Sequence, residues 1–222
     1  EVNTINESDN KFNALNIESK IDIYNRQDNY RWLKSLMPIL LISLIGTSIL
    51  SLLQSALPLD LAKGGVNRPA LNEGWSGIVI AIQLGLLVFF QWPIGRWISK
   101  YDAKFGLRIS MAFFAIGCLL IGLSSLYKYG IYILIIGIFN ISIGIAAFLP
   151  TATELIIETP PKEKRGISMA LFSQCFALSG LAAPIISGKI IDNNDSALMV
   201  WISMFICTII TIIFLKIFKE IK

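Results

Sequence analysis

Six runs of roughly 20 apolar residues, parted by short polar stretches, occupy most of this 222-residue sequence. A helix of that length crosses about 30 Å of hydrocarbon, and inside a bilayer the backbone must satisfy its own hydrogen bonds. The fold class this implies is all-α: a polytopic membrane protein built as a six-transmembrane-helix bundle. Composition points the same way. With 55% hydrophobic and 15% charged residues and a mean hydropathy of +0.66, the chain carries too little polar surface for a soluble domain.

The first run extends from about Leu36 to Leu57 and closes at Pro58, followed by a polar stretch from Asp60 to Gly74 that contains Gly64, Gly65 and Pro69. The second covers Trp75 to Trp92 and ends at Pro93 and Gly95, with Trp75, Trp92 and Trp97 placed for the bilayer interfaces. The others cover Leu107 to Leu126, Ile131 to Thr153, Ile167 to Ile191 and Ala197 to Phe218. Pro160 and Pro161 stop the fourth, and Asp192 to Ser196 reads as a tight turn after the fifth. Residues 1–33 read as a polar cytoplasmic linker or tail, and 34–222 as the bundle. The chain opens on Glu1 with no basic, apolar signal segment, which reads as an internal cut. Its other end, a few residues past the last run, reads as a natural terminus.

Basic residues alternate along the chain. Arg26, Arg31, Lys34, Arg96, Lys100, Lys104, Arg108, Lys162, Lys164, Arg165, Lys216, Lys219 and Lys222 fall on one side of the predicted spans, and only Lys63, Arg68, Lys128 and Lys189 on the other. Because Lys and Arg are retained in cytoplasmic loops, this predicts both termini inside, in a plasma membrane of the bacterial inner-membrane type. Histidine is absent, and Cys118, Cys175 and Cys207 lie singly in three different runs, so no metal, disulfide or cofactor is expected. Neither a phosphate-binding glycine loop nor a nucleophile with its base is visible, which argues against an enzyme. Nothing suggests a nucleic-acid partner.

The polar side chains inside the runs are the candidates for a substrate cavity, since each needs a partner or a wet lining in hydrocarbon. Gln83, Asn140 and Gln174, nearer mid-span, and Gln54 are those candidates; Gln54 and Gln91 sit near helix ends, where headgroups are within reach. The competing reading is hydrogen bonding between helices, worth around 1 kcal/mol or less. Glu154 stands out as the only acidic residue close to the apolar body of a span, one turn before Glu158 and within reach of Arg165 as a charge partner. In the fifth run, Ser179, Ala183 and Ser187 form one small-residue stripe and Gly180, Pro184 and Gly188 its neighbour. Such stripes suit close helix packing, with Pro184 permitting a bend.

Between the second and third runs lies Trp92-Pro-Ile-Gly-Arg-Trp-Ile-Ser-Lys-Tyr-Asp-Ala-Lys-Phe-Gly-Leu-Arg108. It resembles the signature loop of the major facilitator superfamily, a glycine, an aspartate, a basic residue and a second glycine followed by further basic residues. The two glycines, Gly95 and Gly106, stand four residues further apart than that pattern. Ser99 with Lys100, or Ala103 with Lys104, thus fills the aspartate and basic slots and Asp102 falls out of register. The resemblance implies a cytoplasmic gating loop made of Gly95, Arg96, Lys100, Asp102, Lys104, Gly106 and Arg108, with Asp102 latching to Arg96 or Arg108. Thr159-Pro-Pro-Lys-Glu-Lys-Arg-Gly166, followed by Ser168 to Phe172, is similar to the family's loop one helix pair later. The fifth run, around Gly180 to Gly188, resembles a degraded form of the family's glycine-proline motif, linked in some exporters with antiport.

The resemblance implies half of a twelve-helix fold, its C-terminal half by the linker-like segment before Leu36, with the N-terminal six-helix half as missing partner. It also implies inverted three-helix repeats and secondary active transport of a small solute by alternating access between the two halves. A non-transporting six-helix scaffold or assembly factor is the alternative, and would need no polar residues converging on a cavity.

Overall fold

The computed structural model describes the backbone of residues 2–220 and the side chains of residues 32–216. Six helices follow one another: α1 (Val2–Lys63), α2 (Glu73–Ile98), α3 (Ala103–Ser124), α4 (Ile131–Glu158), α5 (Arg165–Asn194) and α6 (Leu198–Glu220). A short 3₁₀ turn, Lys162–Lys164, precedes α5, and no strand occurs among the described residues. Each helix contains a span long and apolar enough to cross a membrane, that of α1 beginning at Trp32. On α2 the exposed Trp75 and Trp92 lie 17 residues apart in sequence, which sets them roughly 26 Å apart along the axis, about the hydrocarbon thickness.

α4 ends at Glu158, ahead of Pro160 and Pro161, but proline elsewhere does not end these helices. α1 continues through Pro58 to Lys63, α2 through Pro93 to Ile98, and α4 and α5 run through Pro150 and Pro184. Within a bundle, neighbouring helices and local adjustments accommodate the backbone groups that a proline frees. The turn after α5 forms where Asp195 takes a left-handed conformation, φ 53°, and the Ser196 hydroxyl accepts from the Leu198 amide at 3.2 Å to open α6.

The packing has a two-fold pattern. α1 lies against α5, α2 against α4, and α3 against both α4 and α6. Exchanging the first three helices for the last three turns the α1–α5 pair into α4–α2 and returns α3–α6 to itself, as inverted repeats do. One seam departs from that pattern. α3 and α4 meet closely, whereas their counterparts α6 and α1 make few contacts among the described residues.

Small residues explain the tight seam. A Cβ added at Gly117 would run into Ile141, one at Gly137 would lie 2.7 Å from the Ile121 side chain, and one at Gly144 would lie 2.6 Å from the Phe114 ring. Only hydrogen leaves room for these bulky apolar partners. On the α1–α5 seam the filling is polar. Thr47 and Ser179 share a hydrogen bond of 2.8 Å between hydroxyls, Ser48 and Ser179 another of 3.2 Å, and the Thr47 hydroxyl also donates to the Cys175 carbonyl at 3.3 Å.

Candidate functional site

At the end of the bundle opposite the basic loops, the α1–α2 connection folds down onto the helix ends. Gly64, at φ 83°, turns the chain, and the Gly65 amide donates to the Arg68 carbonyl at 2.9 Å. The Val66 amide donates to the Ser125 hydroxyl (2.9 Å), the Asn67 amide to the Ser125 carbonyl (2.8 Å), and the Asn67 side chain to the Leu126 carbonyl (2.9 Å). Arg68 then reaches inward. Its guanidinium donates to Asp60 Oδ1 at 2.8 Å, to the Asp60 carbonyl at 3.0 Å and to the Ser124 hydroxyl at 2.5 Å, while Trp201 Nε1 donates to Asp60 Oδ2 at 3.3 Å. Asp60 is 1% and Arg68 3% exposed. One ion pair thus joins α1, the first loop, α3 and α6 inside the protein.

This arrangement differs from the expectation that Asp60 lies in a polar loop and that Glu154 is the only acid near a span. α1 carries on past Pro58, so Asp60 belongs to its last turn and is buried, while Glu154 is exposed. An acid and a base flanking Gly64-Gly65 are the signal that sequence offers. What makes them a site, Ser124 and Trp201, lies far along the chain.

At the basic end, α2 stops at Ile98 and a four-residue turn leads into α3. Asp102 is the cap of α3, its Oδ1 accepting from the Lys104 amide at 3.4 Å. Its carboxylate is exposed, and among the described residues no ion pair links it to Arg96 or Arg108; the guanidinium of Arg96 instead sits 5.7 Å from the Trp92 ring centroid. The displaced register therefore has a local use: Asp102 offers its side chain to a free helix N-terminus. Gly106 is pressed against Thr151 of α4, so a Cβ there would overlap the threonine methyl, whereas Gly95 has open space beside it. Lys100 is exposed.

Lys104 and Arg108, one turn apart on α3, border a cavity of about 150 Å³ at the open seam between α1 and α6. Its walls are largely apolar, from Pro38, Ile39 and Ile42 of α1 to Leu155 of α4 and Leu215 of α6. The Nε atoms of Arg108 and Arg165 are buried without a hydrogen-bond partner, and no ion pair joins Arg165 to Glu154 among the described residues.

The four mid-span amides are dispersed. Gln83 is 5% exposed and continues the buried stripe Ser76, Val79, Gln83 that α2 turns inward. Asn140 is half-buried and donates to its own helix, at the Ile136 carbonyl, 2.8 Å away. Gln54 and Gln174 are exposed, and no hydrogen bond joins any two of the four among the described residues. Gln54 has company that its sequence position alone does not reveal: Ser51, Ser55 and Pro58 share its face of α1 by helical spacing. The two small-residue stripes of α5 also part. Ser179, Ala183 and Ser187 are buried, whereas a Cβ placed on Gly180 or Gly188 would meet nothing within 4 Å. α2 matches this with Gly77 and Gly85, equally open.

The sequence profile described as Major Facilitator Superfamily matches residues 36–222. The chain belongs to that superfamily. A crystal structure of the peptide transporter POT, a mutant in complex with sulfate, has a similar fold: TM-score 0.70 at 14% identity, over 84% of this chain and 38% of that one. No curated protein matches the chain. The two-fold packing of α1–α5 with α2–α4 is of the kind that inverted repeats produce. The chain spans 38% of the length of the transporter it matches, and its α2 and α5 are among the least covered of the helices.

Proposed function

We propose that this chain is one half of a secondary active transporter that moves a small solute by alternating access, and works against a second six-helix bundle. The observation that carries this is the pair of open small-residue faces, Gly77 and Gly85 on α2 and Gly180 and Gly188 on α5. The α3–α4 and α1–α5 seams are filled, while these glycines, on helices equivalent under the internal two-fold, meet nothing within 4 Å. Glycine on a lipid-facing surface gains no packing, but it lets another helix approach closely. The occupant is the missing N-terminal half.

With that partner in place, the polar face of α1 around Ser51, Gln54 and Ser55, together with Asn140 and Gln174, lines a path between the halves. Gln83 acts within the α2–α4 seam. The basic loops face the cytoplasm by the distribution of Lys and Arg, with both termini inside a plasma membrane. The Asp60–Arg68 end is then extracellular. No chemical transformation is needed for this role.

The test is single-cysteine labelling in the full-length protein, in a background lacking Cys118, Cys175 and Cys207. Gln54→Cys, Asn140→Cys and Gln174→Cys are expected to react with a membrane-impermeant maleimide from one face of the membrane or the other, with the reactive face changing as a solute gradient is imposed. If none of the three reacts from either face, the alternating-access reading falls and a membrane scaffold takes its place.

A further inference from the structure

We infer that the cavity at the open α1–α6 seam is a binding site for an anionic phospholipid of the cytoplasmic leaflet. The lining is asymmetric in charge. Lys104 and Arg108 stand at i and i+4 on α3, hence on one face and next to each other. No carboxylate is among the described residues that line the cavity. Asp102, the nearest acid on the same element, is engaged with the N-terminus of α3. Glu158, next to the lining residue Thr159, is exposed and paired with neither cation among the described residues.

Arg108 Nε is buried and has no hydrogen-bond partner, so a donor points into a place where water is scarce and no acceptor in the described protein meets it. Leaving such a donor unmet is costly, and an anionic oxygen would satisfy it. Apart from Ser35 and Thr159, the remaining walls are aliphatic and aromatic, which a free anion does not need. An acyl chain does.

Size and position narrow the class further. At about 150 Å³ the cavity falls below the range of pockets that enclose a drug-sized molecule. It suits a ligand of which only part enters, the rest remaining in the bilayer. It lies between α1 and α6, which make few contacts among the described residues, unlike their counterparts α4 and α3. A phosphate at Lys104 and Arg108 with one chain lying between Ile39 and Leu215 would complete the seam that α3 and α4 complete by direct contact. Basic pockets between transmembrane helices on the cytoplasmic side bind anionic headgroups in this way.

The leaflet assignment rests on the proposed orientation; the binding itself does not. Native mass spectrometry of the full-length protein in neutral detergent, titrated with phosphatidylglycerol or phosphatidylcholine, reads it without any transport. The expected result is retention of phosphatidylglycerol at about thirtyfold lower lipid concentration than phosphatidylcholine, as two basic side chains near a headgroup imply. Lys104→Gln with Arg108→Gln should abolish that preference, while Lys128→Gln with Lys162→Gln, which removes the same net charge elsewhere, should keep it. Ile39→Trp, which fills the cavity and leaves both cations, should also lose it. Its unchanged unfolding temperature in lipid-free detergent would show that the bundle is intact.

Equal retention of the two lipids by the unaltered protein overturns the proposal. So does a preference that survives in the Lys104/Arg108 double variant, or displacement of the lipid by inorganic phosphate at equal concentration, which would mark a simple anion site. Failure of the cysteine labelling above would remove the transport reading and leave these outcomes as they are.

Discussion

The two ends of the bundle are built on opposite plans. At the Arg68 end a loop is docked by backbone hydrogen bonds, and a fully buried ion pair with Trp201 and Ser124 as further partners ties α1, α3 and α6 together. At the basic end the cations of α2 and α3 pair with no carboxylate among the described residues, the α1–α6 seam is open, and a cavity separates the helix ends. Breaking a buried pair leaves an uncompensated charge, whereas exposed charges exchange partners with water at little cost. The first end is therefore fixed in one arrangement. The second end is held by fewer polar contacts among the described residues and leaves room between its helices.

Arg68→Ala is the most direct way to break this contrast. It should lower stability by about 3–5 kcal/mol, because Asp60 would remain buried without its partner. Thermal unfolding in detergent measures this, and Asp60→Leu with Arg68→Met should recover most of the loss. A small effect of Arg68→Ala would mean that the docked end is no firmer than the basic one.

Gly106→Val probes a tight contact at the basic end. Crowding Thr151 should cost about 1–3 kcal/mol, while Gly95→Val, with open space around it, should cost less. Equal costs would show that the loop side of α2 is more closely covered than its exposure indicates.

Ser179→Ala removes a hydroxyl shared by Thr47 and Ser48 and should cost about 0.6 kcal/mol, the usual worth of a hydrogen bond between membrane helices. The smallest effect is expected at the docked end itself. Lys63 and Asp192 form an ion pair of 2.7 Å, but their side chains are 38% and 75% exposed. Lys63→Ala should fall near the bottom of the ~0.2–1 kcal/mol range of exposed pairs and vanish in high salt. An effect close to that of Arg68→Ala would erase the distinction between the buried and exposed pairs.

Much of the fold was legible because hydrocarbon is a demanding solvent. Six apolar runs become six spans for want of any other way to satisfy their backbone. Helix ends were harder to read, since Pro58 and Pro93 stop helices in water and are carried through here. Of the loop residues, Gly106 gained a packing partner, Lys104 and Arg108 gained a cavity, and Asp102 became a helix cap. Among the mid-span amides, spacing along the chain did not distinguish Gln83, which turns inward, from Gln54 and Gln174, which stay exposed. A helix in a bilayer has apolar residues all round, so its sequence carries only a weak sign of which face is buried.

What the sequence determined by itself is the class: membrane insertion, six spans and a division of charge between the two sets of loops follow from solvation energies that depend on composition alone. What the tertiary structure decided is pairing. Asp60 meets Arg68 and Trp201, Ser179 meets Thr47, and α1 and α6 otherwise make few contacts among the described residues because of how helices distant in sequence were brought together. Such contacts depend on relative helix position and rotation, and no local spacing encodes either.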